Sequence, residues 1–386
     1  MQNINHQSSP DFSRYLNVSQ TCSQPLRLIG FGVLGGFGIG LAHLEETLDG
    51  TRPPKMEMVT HQLIDGPVNI PVMRADTSSL ENYVSKRSLR RIDRYSRMAV
   101  LGACLALEDA DRLEKMSERT GLIIVSGYGA AATTFSFLDS VIKDGDTCAS
   151  PTHFSNSVHN SAAAHISILL SITGPSLTIS QFHTSVASGL LTARQWLAEG
   201  RVDEVLFGAV DEYCPVRGYS SLRLPCRNSS INRNGKKVSE PEVLGEGAAF
   251  LLLSREKDDC FSYPKVIDVL QGNIDYDCQS LSRNDLIILE DMQNRYCERI
   301  YNKLQVSELC AGSFSHIYGR LPVGQAFDLV IAVLMLRNRK VYPCINLSNH
   351  SSTMADNLLK NDPEQIACLA ISKRGEYGAV TLANND

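Results

Sequence analysis

Apolar runs and amphipathic stretches alternate along this chain. Residues 26–33 read as a buried strand, followed by a glycine-rich turn within GFGVLGGFGIG and an amphipathic helix at LAHLEETLDG. A second helix is predicted over about 91–110, where Met98, Ala99, Leu101, Ala103, Leu105 and Ala106 supply an apolar surface. GLIIVSGYG at 121–129 reads as a strand leading into a glycine loop. Residues 160–172 then read as a helix, GPSLTI as a turn and buried strand, TSVASGLLTARQWLAEG as a helix, and DEVLFGAV at 203–210 as a strand. In the second half, LGEGAAFLLLS and FSYPKVIDVLQGN supply strands, and residues 283–304 read as a mostly polar helix. LCAGSFSHIYGRLPVGQAFDLVIAVLMLRNRKVYP then holds a loop with His316, a glycine-rich bend and a strongly apolar helix, and CLAISKRGEYGAVTLAN reads as a terminal hairpin. Strands alternating with helices predict an α/β chain with parallel strands, and the two halves share the same grammar.

Residues 147–193 break the pattern, because forty-seven consecutive positions contain no Asp, Glu, Lys or Arg. Nothing in such a stretch keeps a solvated face wet, so it belongs in the interior or at a subunit interface. His183 lies at the strand-to-helix junction inside it, where the first helical N–H groups lack internal partners and a nucleophile or anion-binding group can face a pocket. Phe135 and Phe137, just before this stretch, are candidates for lining a pocket or an interface.

Composition removes several function classes. The chain has 386 residues, with 37 Lys and Arg against 42 Asp and Glu, and its net charge of −5 offers no steering toward nucleic acid. Eleven cysteines are scattered without a CxxC pair, favouring reduced, mostly buried thiols. His153, His159 and His165 are spaced by six, which is not a helical metal-ligand spacing, so no metal site is expected. The N-terminus lacks a signal-peptide pattern and the apolar runs are too interrupted to span a membrane, so a cytoplasmic enzyme or enzyme-like subunit is expected. The glycines at 32–40 lack a Walker lysine and suit close packing against a sheet.

Charge is nevertheless uneven. KRSLRRIDRYSR at 86–97 holds Lys86, Arg87, Arg90, Arg91, Arg94 and Arg97 against Asp93 alone. Such a patch suits an acidic partner or a phosphate. Glu246, between Gly245 and Gly247, reads as a structural group rather than a catalytic acid.

Taken in order, LIGFGVLGGFG, KRSLRRIDRYSRMAVLGACLALEDA, GPSLTISQFHTSVASG, VLFGAVDE, LGEGAAFLLLS and GSFSHIYGRLPVGQAFDLVIAVLMLRNRKVYP resemble the β-ketoacyl-acyl carrier protein synthase family. The resemblance implies a thiolase-like five-layered α-β-α-β-α fold of two related lobes, here divided as an N-terminal arm (1–25), an N-terminal lobe (26–235) and a C-terminal lobe (236–386). It also implies a nucleophilic cysteine, two histidines and a lysine. In this chain the cysteine position falls on His183, with Thr184 and Ser185 after it; the second histidine falls on His316 and the lysine on Ala311. The first-histidine loop has no counterpart between about 270 and 310, and SKRGEYGAV at 372–380 replaces the loop with the gating phenylalanine. A thiolate stores an acyl group as a thioester, whereas imidazole forms only a labile acyl-imidazole.

These losses make the chain most similar to a chain-length-factor-type subunit, noncatalytic and paired as a heterodimer with a catalytic β-ketoacyl synthase of fatty-acid, polyketide or polyene biosynthesis. Its other implied partner is an acyl carrier protein, which supplies phosphopantetheine; no cofactor of its own is expected. Two alternatives are an atypical acyltransferase with His183 as general base and a noncatalytic homodimeric scaffold.

Overall fold

A computed structural model describes residues 24–64, 66–115, 118–223, 229–231, 237–239, 242–255, 263–276, 286–289, 310–346 and 363–384. Most of the expected N-terminal arm, residues 1–23, lies outside the described residues, and Leu26 already bridges to Val266.

Two six-stranded sheets carry the structure. The first contains β1 (Arg27–Gly35), β2 (Gly38–Ile39), β5 (Thr120–Ser126), β6 (Ser176–Ser180), β7 (Glu204–Asp211) and β11 (Gly247–Ser254), in the order β2-β1-β11-β7-β5-β6. The second contains β12 (Lys265–Asn273), β13 (Leu286–Leu289), β14 (Cys310–Ser313), β15 (Ile345–Asn346), β16 (Gln365–Ile371) and β17 (Glu376–Ala383), in the order β12-β17-β16-β13-β14-β15. A small sheet joins β3 (Glu57–Leu63), β4 (Gly66–Met73) and β10 (Leu244–Gly245), and β8 (Ser229–Ile231) pairs with β9 (Lys237–Ser239).

The large sheets repeat one pattern of directions. From β1, the neighbours β11 and β7 pair antiparallel and β5 and β6 parallel; from β12, the neighbours β17 and β16 pair antiparallel and β13 and β14 parallel. Strand by strand, the lobes are therefore related, although their sequences show no repeat.

Sequence explains the layering. Strands β5, β7 and β11 are buried at every position, as strands covered on both faces must be. One face of sheet one is covered by α3 (Arg94–Asp109), against which α6 (Ser161–Leu169) packs. The other face meets α7 (Ser185–Ala198) and α10 (Gly324–Asn338), which also pack on sheet two. At the margins, α1 (Gly40–Leu48) packs on β1 and α8 (Pro215–Arg223) on β3. Every residue of α10 from Gly324 to Leu336 is buried, and its sequence is correspondingly apolar on all sides. The described residues thus supply the first four layers of the expected α-β-α-β-α order. Among them no helix is long and apolar enough to cross a membrane.

Three expectations need correction. Residues 286–289, LIIL, form a buried strand rather than part of a polar helix, because four consecutive apolar residues fill the slot between β14 and β16; residues 290–304 lie outside the described residues. Strand β11 falls after the boundary drawn at 235, yet its hydrogen bonds to β1 and β7 make it the centre of the first sheet. The strand at GPSLTI, expected to be buried, is the edge strand β6 with no buried residue, and much of residues 151–160 is exposed, so of the interior or interface expected for the uncharged stretch the chain itself supplies only part of the interior.

The glycines of β1 set the distance between sheet and helix. A Cβ at Gly32 would lie 2.1 Å from the Gly102 carbonyl oxygen of α3, and one at Gly30 2.4 Å from that of Ala106. Gly32→Ala should therefore destabilise the fold by about 1–3 kcal/mol, the usual cost of overpacking, as read from denaturant unfolding. A change within about 0.5 kcal/mol, the range of an ordinary surface substitution, would contradict this account of the packing.

Candidate functional site

The parallel strands of both sheets direct their carboxyl ends toward one region, the usual place for a site in such sheets. Strand β6 ends at Ser180, and a single 3-10 turn over Phe182–Thr184 leads into α7. Strand β14 ends at Ser313 and leads into α9 (Ser315–Tyr318). His183 and His316 each lie three residues beyond equivalent strands, so the two lobes place them at related positions.

Sheet two holds the His183 turn from outside. Gln271 of β12 donates from Nε2 to the Thr184 carbonyl at 2.9 Å and to Ser188 Oγ at 2.5 Å. Gly378 of β17 approaches so closely that a Cβ there would lie 2.7 Å from the Ala187 Cβ and 3.9 Å from the Thr184 Cα. Thr184 Oγ1 donates to the Gln181 carbonyl at 3.2 Å, while Ser185 is fully buried and its hydroxyl donates to the Phe182 carbonyl at 2.5 Å. Thr184 and Ser185 thus brace the turn. His183 is half-buried.

His316 is half-buried and stacks on Phe314 with ring centroids 6.2 Å apart. Its Nδ1 is buried without a hydrogen-bond partner among the described residues, and burial lowers its pKa despite a backbone contribution from Ser313. Ala311 lies within β14 in register with Ile287. Of the region expected to hold the first-histidine loop, residues 277–285 and 290–309 lie outside the described residues. The 372–380 segment forms the tight β16–β17 hairpin, with Tyr377 buried against Gly272.

The loop after β5 ties the lobes together. Buried Asp211 accepts hydrogen bonds from Ser126 Oγ at 2.8 Å and from the Gly127 and Tyr128 amides at 3.0 Å. A Cβ on Gly127 would lie 2.4 Å from Pro322 Cβ, so this loop abuts the connection between His316 and α10. Burial raises the Asp211 pKa, against the opposing influence of Arg217 and these donors.

The basic stretch divides into structural and free residues. Arg94 is engaged inward rather than left free for docking: it donates from Nε to both oxygens of fully buried Glu246, and from a terminal nitrogen to Glu246 and to the Ala75 carbonyl at 2.7 Å. Glu246 also accepts from the Ala75 and Tyr213 amides, so its carboxylate serves as a structural group. Arg97 is likewise internal, donating to the carbonyls of Ile92 and of Leu89, the last residue of α2 (Lys86–Leu89). Lys86, Arg87, Arg90 and Arg91 are exposed. Lys86 pairs with Glu81 at 3.1 Å, whereas the three arginines pair with no carboxylate among the described residues.

Phe135 is exposed on α4 (Ala131–Asp144), and half-buried Phe137 packs against Phe154 of α5 (Pro151–Asn156) at 5.4 Å. Leu138 and Ile142 of α4 are also exposed, as are Ile168 of α6 and Leu177 of β6. Among the described residues no cluster of metal-ligating side chains occurs, and His165 instead bonds Asn156 at 3.0 Å.

These features meet their comparison in known proteins. A model of the β-ketoacyl synthase N-terminal domain matches residues 64–259, half of the chain. The chain belongs to the β-ketoacyl synthase family. This ketosynthase relative is 26% identical over 182 residues to the 3-oxoacyl-acyl-carrier-protein synthase 2 of Vibrio cholerae, covering 45% of the chain and 44% of that protein. It spans about half the length of the curated relatives it matches. Among solved structures, the ishigamide ketosynthase/chain length factor superposes with a TM-score of 0.70 at 14% identity, over 94% of this chain and 100% of that one. A type II PKS acyl-carrier protein in complex with its ketosynthase bound to the hexaketide gives 0.69 at 14% identity, over 94% and 99%. The fold is the thiolase fold of the ketosynthases.

Glu212, the residue after β7, was not visible as special in the sequence beyond the Asp-Glu pair that closes an apolar strand. It is 1% exposed; Oε1 accepts from the Ala132 amide at 2.7 Å and Oε2 has no partner. Burial, with Asp93 and Glu246 nearby, pushes its pKa up to about 8 against the Ala132 hydrogen bond and Arg94. A raised acid favours the protonated fold, so its contribution is complete below the unfolded carboxyl's pKa and is lost as pH rises through about 8. Glu212→Gln should flatten this component: the melting temperature of the native chain relative to the variant should fall between about pH 5 and 8. Parallel profiles would refute the assignment.

Proposed function

We propose that this ketosynthase relative is the noncatalytic, chain-length-factor-like partner of a cysteine-bearing β-ketoacyl synthase. The observation that carries this reading is the imidazole of His183 at the β6–α7 junction, the position at which the family resemblance places the acyl-carrying thiol. Ala311 at the lysine position and the absence of any histidine from residues 270–310 support it. The partner performs the condensation; this chain stabilises it and forms one wall of the pocket in which the acyl or polyketide chain grows.

The apolar edge beside β6 fits a subunit interface. A strand with one unpaired edge is a liability in water and, with the exposed apolar side chains of Phe135, Ile142, Phe154 and Ile168 on α4, α5 and α6, suits a second ketosynthase-fold subunit. The carrier protein brings phosphopantetheine, and this cytoplasmic subunit holds no cofactor of its own. Arg87, Arg90 and Arg91 receive the carrier's acidic surface; Arg94 and Arg97 hold the scaffold beneath them.

Reconstitution tests the central claim. With acyl- and malonyl-loaded carrier protein, product should form only when both subunits are present, and intact mass should find the acyl adduct on the partner alone. Condensation or transfer by this chain by itself would replace the proposal with the acyltransferase reading. For the patch, reversing Arg87 and Arg90 to Glu should weaken carrier binding about tenfold or more at low salt, with the difference shrinking as salt rises. Unchanged binding by the intact pair would return the patch to ordinary surface.

A further inference from the structure

Phe182 has φ 50°, in the left-handed region, where a bulky side chain is an outlier. Strain of this kind persists only where the surroundings over-determine it, and it concentrates at functional positions. Here four hydrogen bonds hold it. The Phe182 carbonyl accepts the Ser185 hydroxyl, the Thr184 amide and hydroxyl both bond the Gln181 carbonyl, and the Gln181 side chain accepts from Ser188. The Phe182 ring, 47% exposed, meets Tyr128 edge to face at 5.2 Å.

Tyr128 is itself fixed. Its amide donates to buried Asp211, and the Arg217 guanidinium lies 5.4 Å from its ring centroid. Arg217 is anchored by the Gly245 carbonyl at 2.9 Å and the Arg320 carbonyl at 2.5 Å. The two rings come from the segments that follow adjacent parallel strands, β5 and β6, and meet beside the start of the turn that bears His183.

We propose that Phe182 and Tyr128 form a rigid aromatic plug at the β6–α7 junction that excludes acyl-pantetheine from residue 183, a second barrier to acylation independent of the missing thiol. This rests on the noncatalytic reading above, and it explains why a bulky residue is held in a strained backbone immediately before the site. A thiol placed at 183 would still have to reach the thioester carbonyl. Its thiolate would form a new sulfur–carbon bond while the bond from that carbon to the pantetheine sulfur breaks, and the departing pantetheine thiolate would take a proton from water. Attack requires reacting atoms within about 3–3.5 Å, which the plug denies to a pantetheine-sized donor.

The test uses the full chain, alone and with its copurifying partner, carrying His183→Cys, Phe182→Gly with His183→Cys, or Tyr128→Ala with His183→Cys. Glycine is chosen at 182 because it adopts the left-handed conformation without strain. Each is treated with iodoacetamide or with octanoyl-pantetheine, and labelling at residue 183 is followed by peptide mass. Iodoacetamide should label the introduced thiol in all three, whereas octanoylation should be about tenfold or more faster in either double variant than in His183→Cys. Equal octanoylation in the single and double variants, or none in the doubles despite iodoacetamide labelling, would overturn the plug. Product formed by the unmodified chain alone would instead sink the noncatalytic reading, so the two failures are distinguishable. A double variant that does not fold leaves the comparison to the other.

Discussion

Two sheets that share a single layer of helices constrain everything else in this molecule. Helices α7 and α10 touch both sheets, and α10 is buried around its whole circumference from Gly324 to Leu336. The polar groups inside it must then be satisfied locally: Gln325 donates to the Cys368 and Gly378 carbonyls, stitching the helix to the β16–β17 hairpin, and Tyr318 donates to Asp328. Because the shared layer fixes how the sheets face one another, the carboxyl ends of β5 and β6 meet the segment after β14 through the Gly127–Pro322 contact.

A second constraint is electrostatic. Glu246 lies just before β11 and is fully buried, and Arg94 at the first turn of α3 reaches it across the end of the first sheet. Removing Arg94 would leave the buried Glu246 carboxylate with only the Ala75 and Tyr213 amides and Arg74 at 3.7 Å, the costly way to break a buried pair. Glu212 lies in the same neighbourhood with less help, which is why its carboxyl favours the proton. The fold therefore commits part of a conspicuous basic stretch to its own interior and leaves Lys86, Arg87, Arg90 and Arg91 facing outward.

The two histidines sit on frames that the fold builds without them. The turn after β6 is braced by Thr184, Ser185, Gln271 and the approach of Gly378, all of which are scaffold contacts that do not depend on what residue 183 is. The side chain at 183 sits in a place built for a reactive group and carries an imidazole.

The alternation of apolar strands with helices, the small residues at Gly30 and Gly32, and the all-apolar character of α10 were legible in the chain itself, since periodicity and side-chain size are local properties. So was His183 at a strand-to-helix junction, because a strand, a short turn and a small-residue helix follow one another in sequence. Tertiary structure alone decided where β11 belongs, since its pairing with β1 joins residues far apart in the chain. It separated Arg94 and Arg97 from their exposed neighbours, because one turn of helix rotates some guanidiniums inward and others out. It turned LIIL at 286–289 into a strand, since a four-residue apolar run carries no period that distinguishes strand from helix. The backbone of Phe182 and the burial of Glu212 were invisible beforehand for the same reason: both arise where distant segments converge, and no local pattern records that convergence.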